Sequence, residues 1–429
     1  MKKVVIVILI LSSFQSIAQE VITLNQAIEI ALKSNYEILM VSNAAETATI
    51  LNKPGEAGIY PSARAGVADQ YSTNNIFQKF ANGQEISSPN AAGNNFAAFV
   101  ALDWTLFSGF RLAAQRDRLA ILEGQGKTSL KSQIARTVEL VTATYLDIAR
   151  LDRQLINSKE IIGFNEARLE IAQLRFDAGL SSKSDLLQAQ VDINLIKQQL
   201  QRFETQRQWA CLQLNTLLAR DINLKFNVEE NIDFVDSDPT ALRSDVLSKN
   251  YDLVIIRSEK LLAENQLKQI ESQQYPTVNF TGAYDFTRTD NSAGFSLFNR
   301  SFGPTAGLNI SVPLYAGGTL KRQKVVTALQ VKTADLMLKS AEQTVLAEFE
   351  KAYLQYQAAT SMLVLQESSR AVAEENLTII SGRLQQGQAN TLEVRQAQVS
   401  YEAVLTELSN IRYEKQIAQT RMLLLAGRL

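Results

Sequence analysis

The sequence contains no histidine and a single cysteine, Cys211. These absences remove Ser-His-Asp and Cys-His catalysis, zinc sites built on His/Cys clusters, and any disulfide within the chain. The fold must stand on packing. Proline is scarce: Pro54, Pro61, Pro89, Pro239, Pro276, Pro304 and Pro313 are all there is, so residues 90–238 and 314–429 permit very long helices. Neither sign of charge is in excess. The 43 Lys+Arg against 44 Asp+Glu, a net of −1, offer nucleic acid no broad basic field. No glycine-rich phosphate loop is present, and no cofactor or metal is implied. No apolar run reaches 18 residues, which excludes a transmembrane helix. Hydrophobic residues are nonetheless 46% of the 429, too many for a disordered chain.

Lys2 and Lys3 precede an apolar run from Val4 to Leu11, and Ser16-Ile17-Ala18 offers small residues to a signal peptidase. The pattern predicts an export signal over 1–18, cleaved after Ala18. A buried first strand is the competing reading. No cysteine stands at the cut, which argues against a lipid anchor. Loss of the two lysines leaves 41 basic against 44 acidic residues.

The rest is an internal duplication. Ser34-Asn35-Tyr36-Glu37 matches Lys249-Asn250-Tyr251-Asp252, and Tyr60-Pro61 matches Tyr275-Pro276, both at an offset of 215. Leu106-Phe107-Ser108-Gly109 matches Leu314-Tyr315-Ala316-Gly317, Tyr145-Leu146 matches Tyr353-Leu354, and Arg175 to Gln190 matches Arg383 to Gln398, all at 208. The offset changes once, by seven residues, so the first copy carries a longer loop around Asn74 to Asn95. Its Asn, Gly and Ser content predicts a solvent loop. A period near 210 is too long for a solenoid and marks a two-fold duplicated domain.

Each copy predicts two strands and two long helices. Ala63, Ala65, Val67 and Tyr71 alternate with Ser62, Arg64, Gly66 and Gln70. Phe96, Val100, Leu102, Trp104 and Leu106 alternate with Asp103 and Thr105. In the second copy Val278, Phe280, Tyr284 and Phe286 alternate with Asn279, Thr281 and Asp285, and Leu308, Ile310 and Val312 with Asn309 and Ser311. This period of two gives one apolar and one polar face. The segments match the ~9–11 residues of a tilted membrane strand, and aromatics at their ends suit interfacial girdles. A half-buried soluble sheet is the competing reading. Asp69 falls on the apolar parity without an account.

From Arg111 to Asp177 no proline interrupts, and a continuous helix there would be ~100 Å long at ~1.5 Å per residue. A second rod runs from about Thr319 to Gln386. Gly179 and Gly387 turn each rod into a returning helix with an apolar seam. The seam is Leu186, Ala189, Ile193, Ile196, Leu200, Phe203, Arg207, Ala210, Leu214 and Leu217. In the second copy it is Val394, Ala397, Tyr401, Val404, Leu408, Ile411, Lys415, Ala418, Met422 and Leu425. That phase-locked stripe predicts coiled-coil hairpins.

The expected organisation is a signal over 1–18, a first repeat over 19–218 and a second over 241–429. The first holds a helix, strands near 60–72 and 96–107, and a helical hairpin near 111–217. The second holds a helix, strands near 277–287 and 305–315, and a hairpin near 319–427. Between them, 219–240 form an acidic linker with Glu229, Glu230, Asp233, Asp236 and Asp238, read as a peripheral band or a plain connection.

Four strands cannot close a barrel, and an open edge in hydrocarbon costs several kcal/mol per unpaired group. The chain must lend its strands to an oligomer. Two copies give eight strands, whose interior side chains fill; three give twelve, with room for a passage. Arg64, Asp103, Asn279, Asp285 and Asn309 on the polar faces would line the water.

The duplicated plan, the Leu-Phe-Ser-Gly and Leu-Tyr-Ala-Gly-Gly junctions, and the Arg-Phe-x-x-Gly-Leu…Asp-Leu-Leu-Gln-Ala-Gln turn resemble the TolC-type outer-membrane efflux proteins over about 20–428. The resemblance implies a mainly α fold with membrane β. Three copies would form a twelve-stranded outer-membrane barrel on a twelve-helix periplasmic tunnel. It implies a passive exit duct in the outer membrane, extending into the periplasm. The duct would serve a tripartite pump or type I secretion system, with a periplasmic adaptor and an RND-type or ABC-type inner-membrane transporter as partners. By alignment on the turn glycine, Asp185 and Glu393 fall on acidic iris positions, Gln396 replaces a third, and Ala389 replaces a basic lock. Acids in a first helical turn also favour the helix dipole, so capping competes with gating for both. The turns Gly179-Leu180-Ser181 and Gly387-Gln388-Ala389 resemble adaptor-receiving grooves, though glycine there also suits a helix C-cap.

Three other classes fit less well. A periplasmic adaptor should have one hairpin flanked by small β domains, and a stand-alone porin needs at least eight strands in one chain. A glycosidase-like enzyme would need a carboxylate pair, while the acids here are scattered along helix faces.

Overall fold

The computed structural model describes residues 20–229 and 238–429, so the expected export signal and Glu230, Asp233 and Asp236 of the linker lie outside the described residues. The element order is β1 (Glu20–Ile22), α1 (Leu24–Ser34), α2 (Tyr36–Leu51), β2 (Ser62–Lys79), β3 (Glu85–Ser108), α3 (Arg111–Asp177) and α4 (Lys183–Leu217). The second copy follows with β4 (Phe226–Val228), α5 (Pro239–Lys249), α6 (Tyr251–Ser272), β5 (Thr277–Asn291), β6 (Phe298–Ser311), α7 (Thr319–Gln385) and α8 (Thr391–Leu425). α3 and α7 are both 67 residues and α4 and α8 both 35, so the duplicated sequence folds into duplicated helices. Among the described residues no helix is long and apolar enough to cross a membrane.

The chain divides into two compact units. One comprises residues up to Ser42, Leu130–Tyr251 and Glu342–Leu429. Its helices pack around two clusters related by the duplication. Ala27, Ala31, Val141, Tyr145, Leu214 and Leu218 form the first, with Phe226 and Val228; Leu242, Val246, Phe349, Ala352, Met422 and Ala426 form the second. The seam of α8 is buried at Val394, Ala397, Tyr401, Leu408, Ile411, Ala418, Met422 and Leu425. That of α4 is buried at Ala189, Ile193, Ala210 and Leu214.

The Asn-Tyr motif of each copy has a defined task in this unit. Asn35 Oδ1 accepts the N–H groups of Glu37 (3.0 Å) and Ile38 (3.1 Å), capping α2, while its Nδ2 donates to the Leu217 carbonyl at the end of α4 (2.8 Å). Asn250 Nδ2 likewise donates to the Leu425 carbonyl at the end of α8 (3.0 Å). One amide thereby satisfies groups that two helix ends would leave orphaned. The copies differ nearby. β1 pairs in parallel with β4, and the buried Tyr145 hydroxyl donates to the Ile22 carbonyl (2.7 Å) and accepts the Glu229 N–H (2.9 Å). Its counterpart Tyr353 instead accepts a bond from Gln357 Nε2 (2.7 Å).

The other unit comprises Asn43–Ser129 and Asp252–Ala341. Its sheet has the antiparallel order β2-β3-β5-β6. The span from Asn74 to Asn95, expected as a solvent loop, is instead strand. β2 and β3 stay paired out to Lys79↔Glu85, around a short turn and a register shift between Asn74 and Ile76. Backbone pairing needs no apolar side chain, so a polar strand end looks like a loop in composition. β5 runs past its expected end to Asn291, whereas β6 begins earlier than expected, at Phe298, and stops at Ser311, short of the expected 315. At the strand-to-helix junction Gly109 (φ 64°) is followed by Phe110 (φ 72°), and Gly317 and Gly318 repeat the pair at 59° and 71°. A Cβ at Gly109 would stand 2.3 Å from the Ser272 carbonyl oxygen, so glycine is demanded there twice over, by conformation and by space.

Candidate functional site

The strand registers decide which side chains share a face. Ala63 pairs with Leu102, Ala65 with Val100, Trp104 with Phe280 and Phe280 with Leu308. All carry the apolar parity, and Val67, Tyr71, Val100, Leu308 and Ile310 on it are exposed. Asp69 sits opposite Phe96 on that face, and nothing in the structure explains it. The opposite parity collects the five polar residues singled out from the sequence. Arg64 reaches Asp103 (3.6 Å), Asn279 pairs with Asn309, and Asp285 accepts the Thr305 hydroxyl (3.2 Å). The sheet therefore has one apolar and one hydrophilic side, each partly open. Its outermost strands, β2 and β6, have 18 and 14 residues, each with one edge unpaired within the sheet.

The helical turns are built by capping chemistry. After α3, Gly179 (φ 75°) closes a Schellman turn, with Leu180 N–H donating to the Arg175 carbonyl (2.8 Å) and Gly179 N–H to that of Phe176 (2.9 Å). After α7, Gly387 (φ 77°) repeats it, with Gln388 N–H on the Arg383 carbonyl (2.8 Å). α4 then starts with a capping box. Asp185 N–H donates to Ser182 Oγ (3.2 Å), and the Asp185 carboxylate accepts the Ser182 N–H (3.3 Å). Asn390 caps α8 by accepting the Glu393 N–H (2.8 Å). Asp185 is thus engaged as a cap, whereas Glu393 and Gln396 are exposed. Gly179, Leu180, Gly387 and Gln388 are exposed as well. Ser181 is half-buried, its hydroxyl without a partner among the described residues. Ala389 is different from the expectation of a docking residue. It is buried against Leu384 and Val394, because its methyl closes a small apolar cluster between α7 and α8. The two turns are tied together by Arg175, whose guanidinium donates to the Leu384 carbonyl (2.8 Å).

Sequence reasoning missed the charged brace above these turns. Asp192 of α4 and Arg168 of α3 are both buried and lie 2.5 Å apart. Arg168 also donates to Gln398 of α8 (2.9 Å), Gln188 donates to Asp192 (2.8 Å), and Arg395 of α8 reaches the same carboxylate (3.2 Å). One carboxylate thereby joins both helical hairpins. No signal in the sequence marks it, since an acid flanking a seam residue such as Ile193 is ordinary in a coiled coil.

The family model for outer membrane efflux proteins matches residues 56–220 and 242–428. Outer membrane efflux protein BepC of Brucella suis is 22% identical over 351 residues, 77% of this chain and 72% of the relative. Outer membrane protein TolC of Salmonella enteritidis is 23% identical over 470 residues, covering 100% of this chain and 87% of that one. Among solved structures, the CmeC outer membrane channel of Campylobacter jejuni superposes with a TM-score of 0.82 at 14% identity, over 94% of this chain and 85% of that one.

Proposed function

Because the chain belongs to the outer membrane efflux protein family, we propose that it works as a ring of three copies, the hydrophilic sheet faces lining a common passage. The protein is an outer-membrane efflux channel, and its family and fold are those of channels rather than enzymes. The observation that carries the trimer is the open sheet. A lipid-compatible face with bare edges on β2 and β6 has to be completed by sister chains. Three sets of four strands give the twelve that leave a lumen. Support also comes from α7, where Leu365, Val372 and Ile379 recur every seven residues and stay exposed in the single chain. Such a stripe suits a neighbouring copy's helix.

In this reading each chain supplies its two repeats to one wall. The passage is an exit duct for a tripartite pump or secretion system, with a periplasmic adaptor and an inner-membrane transporter as partners. Gly179, Leu180, Gly387 and Gln388 supply the exposed turn surface for the adaptor, and Asp185, Glu393 and Gln396 border the aperture. The reading of the chain as itself an adaptor is set aside by the duplicated strand–helix plan and the family match.

Native mass spectrometry of the detergent-extracted protein tests the ring. Three chains per particle are expected, and Leu365→Asp with Val372→Asp should shift the population to single chains. A lone chain in outer-membrane fractions of the unaltered protein would overturn the proposal.

A further inference from the structure

The strand registers place two arginines side by side on the apolar face of the sheet. Phe96 pairs with Arg288, and Arg288 with Arg300. On the same face of β5, Val278, Phe280, Tyr284 and Phe286 occupy ~27 Å of strand, at ~3.4 Å per residue. Tilted as barrel strands are, they reach a height of ~20 Å, close to the ~25 Å apolar band of such barrels. The arginine row comes directly after that band. The strands meet the helices at their other ends, where Ser108 precedes Arg111, Ser272 precedes Thr277 and Ser311 precedes Thr319, while the turns after Lys79 and Asn291 lie at the arginine end. With the helices in the periplasm, the row stands where the headgroups of the outer leaflet begin, a placement that rests on the membrane-embedded sheet proposed above.

Like charges directly opposite each other on a sheet are destabilising. Here both side chains are exposed, and each guanidinium lies over a phenyl ring, Arg288 over Phe298 (5.7 Å to the centroid) and Arg300 over Phe302 (5.9 Å). A stacked guanidinium keeps its N–H donors along its edge, open to an anion. The charges on this face leave an excess of one sign around the pair. Arg288 Nε donates to Asp290 (2.8 Å). Among the described residues Arg300 has neither a hydrogen bond nor an ion pair. Asp69 shares the row but stands two strands from Arg288, ~10 Å away with Phe96 between them. Lys79 and Glu85, farther out, neutralise each other (2.5 Å). Two cations against one nearby acid, set among Phe96, Phe286, Phe298 and Phe302, complement an anion carried by an apolar molecule.

We propose that Arg288 and Arg300 clamp a phosphate of a phosphorylated glycolipid in the outer leaflet, while Phe286 and Phe302 meet its acyl chains. A phosphomonoester carries close to two negative charges, and its oxygens match the forked donors of two guanidiniums. A phosphodiester headgroup bearing its own amine has no net charge and is a poorer match. A soluble partner protein also fits less well, because the clamp borders the apolar band rather than the turns beyond it.

Native mass spectrometry of the full chain in detergent reads particle mass and retained lipid separately, so a failed ring and a failed clamp are told apart. The probes are bisphosphorylated lipid A, the same lipid with its phosphates removed, and inorganic phosphate. The unaltered protein should retain the bisphosphorylated lipid, and less of it as salt is raised. Arg288→Gln and Arg300→Gln should each weaken that retention at least tenfold, and Lys79→Gln should leave it unchanged, with particle mass and melting temperature the same in all three. Equal retention by the unaltered protein and by the double variant Arg288→Gln with Arg300→Gln would overturn the proposal. So would equal retention of the dephosphorylated lipid, because the patch would then be apolar only. Displacement of the lipid by an equal concentration of inorganic phosphate would assign the pair to a small anion and overturn the lipid clamp. Loss of the ring in Arg300→Gln, restored in Asp69→Arg with Arg300→Asp, would overturn it too, because Arg300 would then serve the seam with a sister chain.

Discussion

The brace between the hairpins makes a prediction in which one carboxylate serves two cations of very different worth. Asp192 and Arg168 have side chains only 9% and 4% exposed, whereas Arg395 is 42% exposed. Asp192→Leu would leave the Arg168 guanidinium buried with Gln398 as its remaining neutral partner. Stranding a buried charge in this way costs about 3–5 kcal/mol. Arg395→Gln breaks the same carboxylate's other ion pair, but on a solvated side chain, and should cost about 0.2–1 kcal/mol. The double variant Arg168→Met with Asp192→Leu removes both buried charges and fills their space with hydrocarbon. It should lie within about 1 kcal/mol of the original. Hydrogen exchange read by mass spectrometry over residues 160–200 and 390–405 reports the local opening. For Asp192→Leu the amides there should exchange faster by roughly two decades or more, at ~1.4 kcal/mol per decade. The double variant should restore most of that protection. If the double variant exchanges as fast as the single one, the buried charge pair is not what holds the hairpins, and the packing of the seam residues carries the load alone.

Three further outcomes follow from other parts of the molecule. Asn35→Ala and Asn250→Ala should each destabilise by about 1–3 kcal/mol, and unchanged melting temperatures would remove the capping role. Asp185→Ala with Glu393→Ala should change conductance or cation block in planar bilayers, and unaltered currents would leave Asp185 a helix cap and Glu393 a first-turn acid only. Hydrogen bonds from Lys260 and Lys339 bring the Asp335 carboxyl down to about 2, so its stabilising contribution is present above the ordinary carboxylate range and fades as pH falls toward 2. Asp335→Asn should therefore narrow the gap in melting temperature between neutral and acid pH, and an identical pH profile would refute that linkage.

What could be read from the chain was what repeats. The 208-residue offset aligned the seams of α4 and α8, and an apolar stripe at spacings of three and four leaves little choice of buried face. The strand parity was equally legible, since a slip of one residue would turn Trp104, Phe280 and Leu308 to the hydrophilic side. Other features left no periodic trace. The polar extension of β2 and β3 is held by backbone pairing, and its Asn, Gly and Ser residues carry no alternating signal. β1 and β4 are three residues each, shorter than any pattern. The Arg168–Asp192–Arg395 brace joins one hairpin, α3 and α4, to the distant α8, and only the tertiary fold brings its members together. Ala389 was placed by its neighbour, a turn glycine, while its own methyl decided its burial.

The bare edges of β2 and β6 also set how damage spreads through a population of chains. In the proposed cylinder of three chains every seam belongs to two different copies, so one faulty edge spoils the work of sound neighbours as well as its own. A cell making sound and edge-broken chains in equal amounts, mixing at random in threes, would finish only about one cylinder in eight without a defect. Edge lesions of this kind should therefore act dominantly, unlike lesions confined to the interior of a single hairpin.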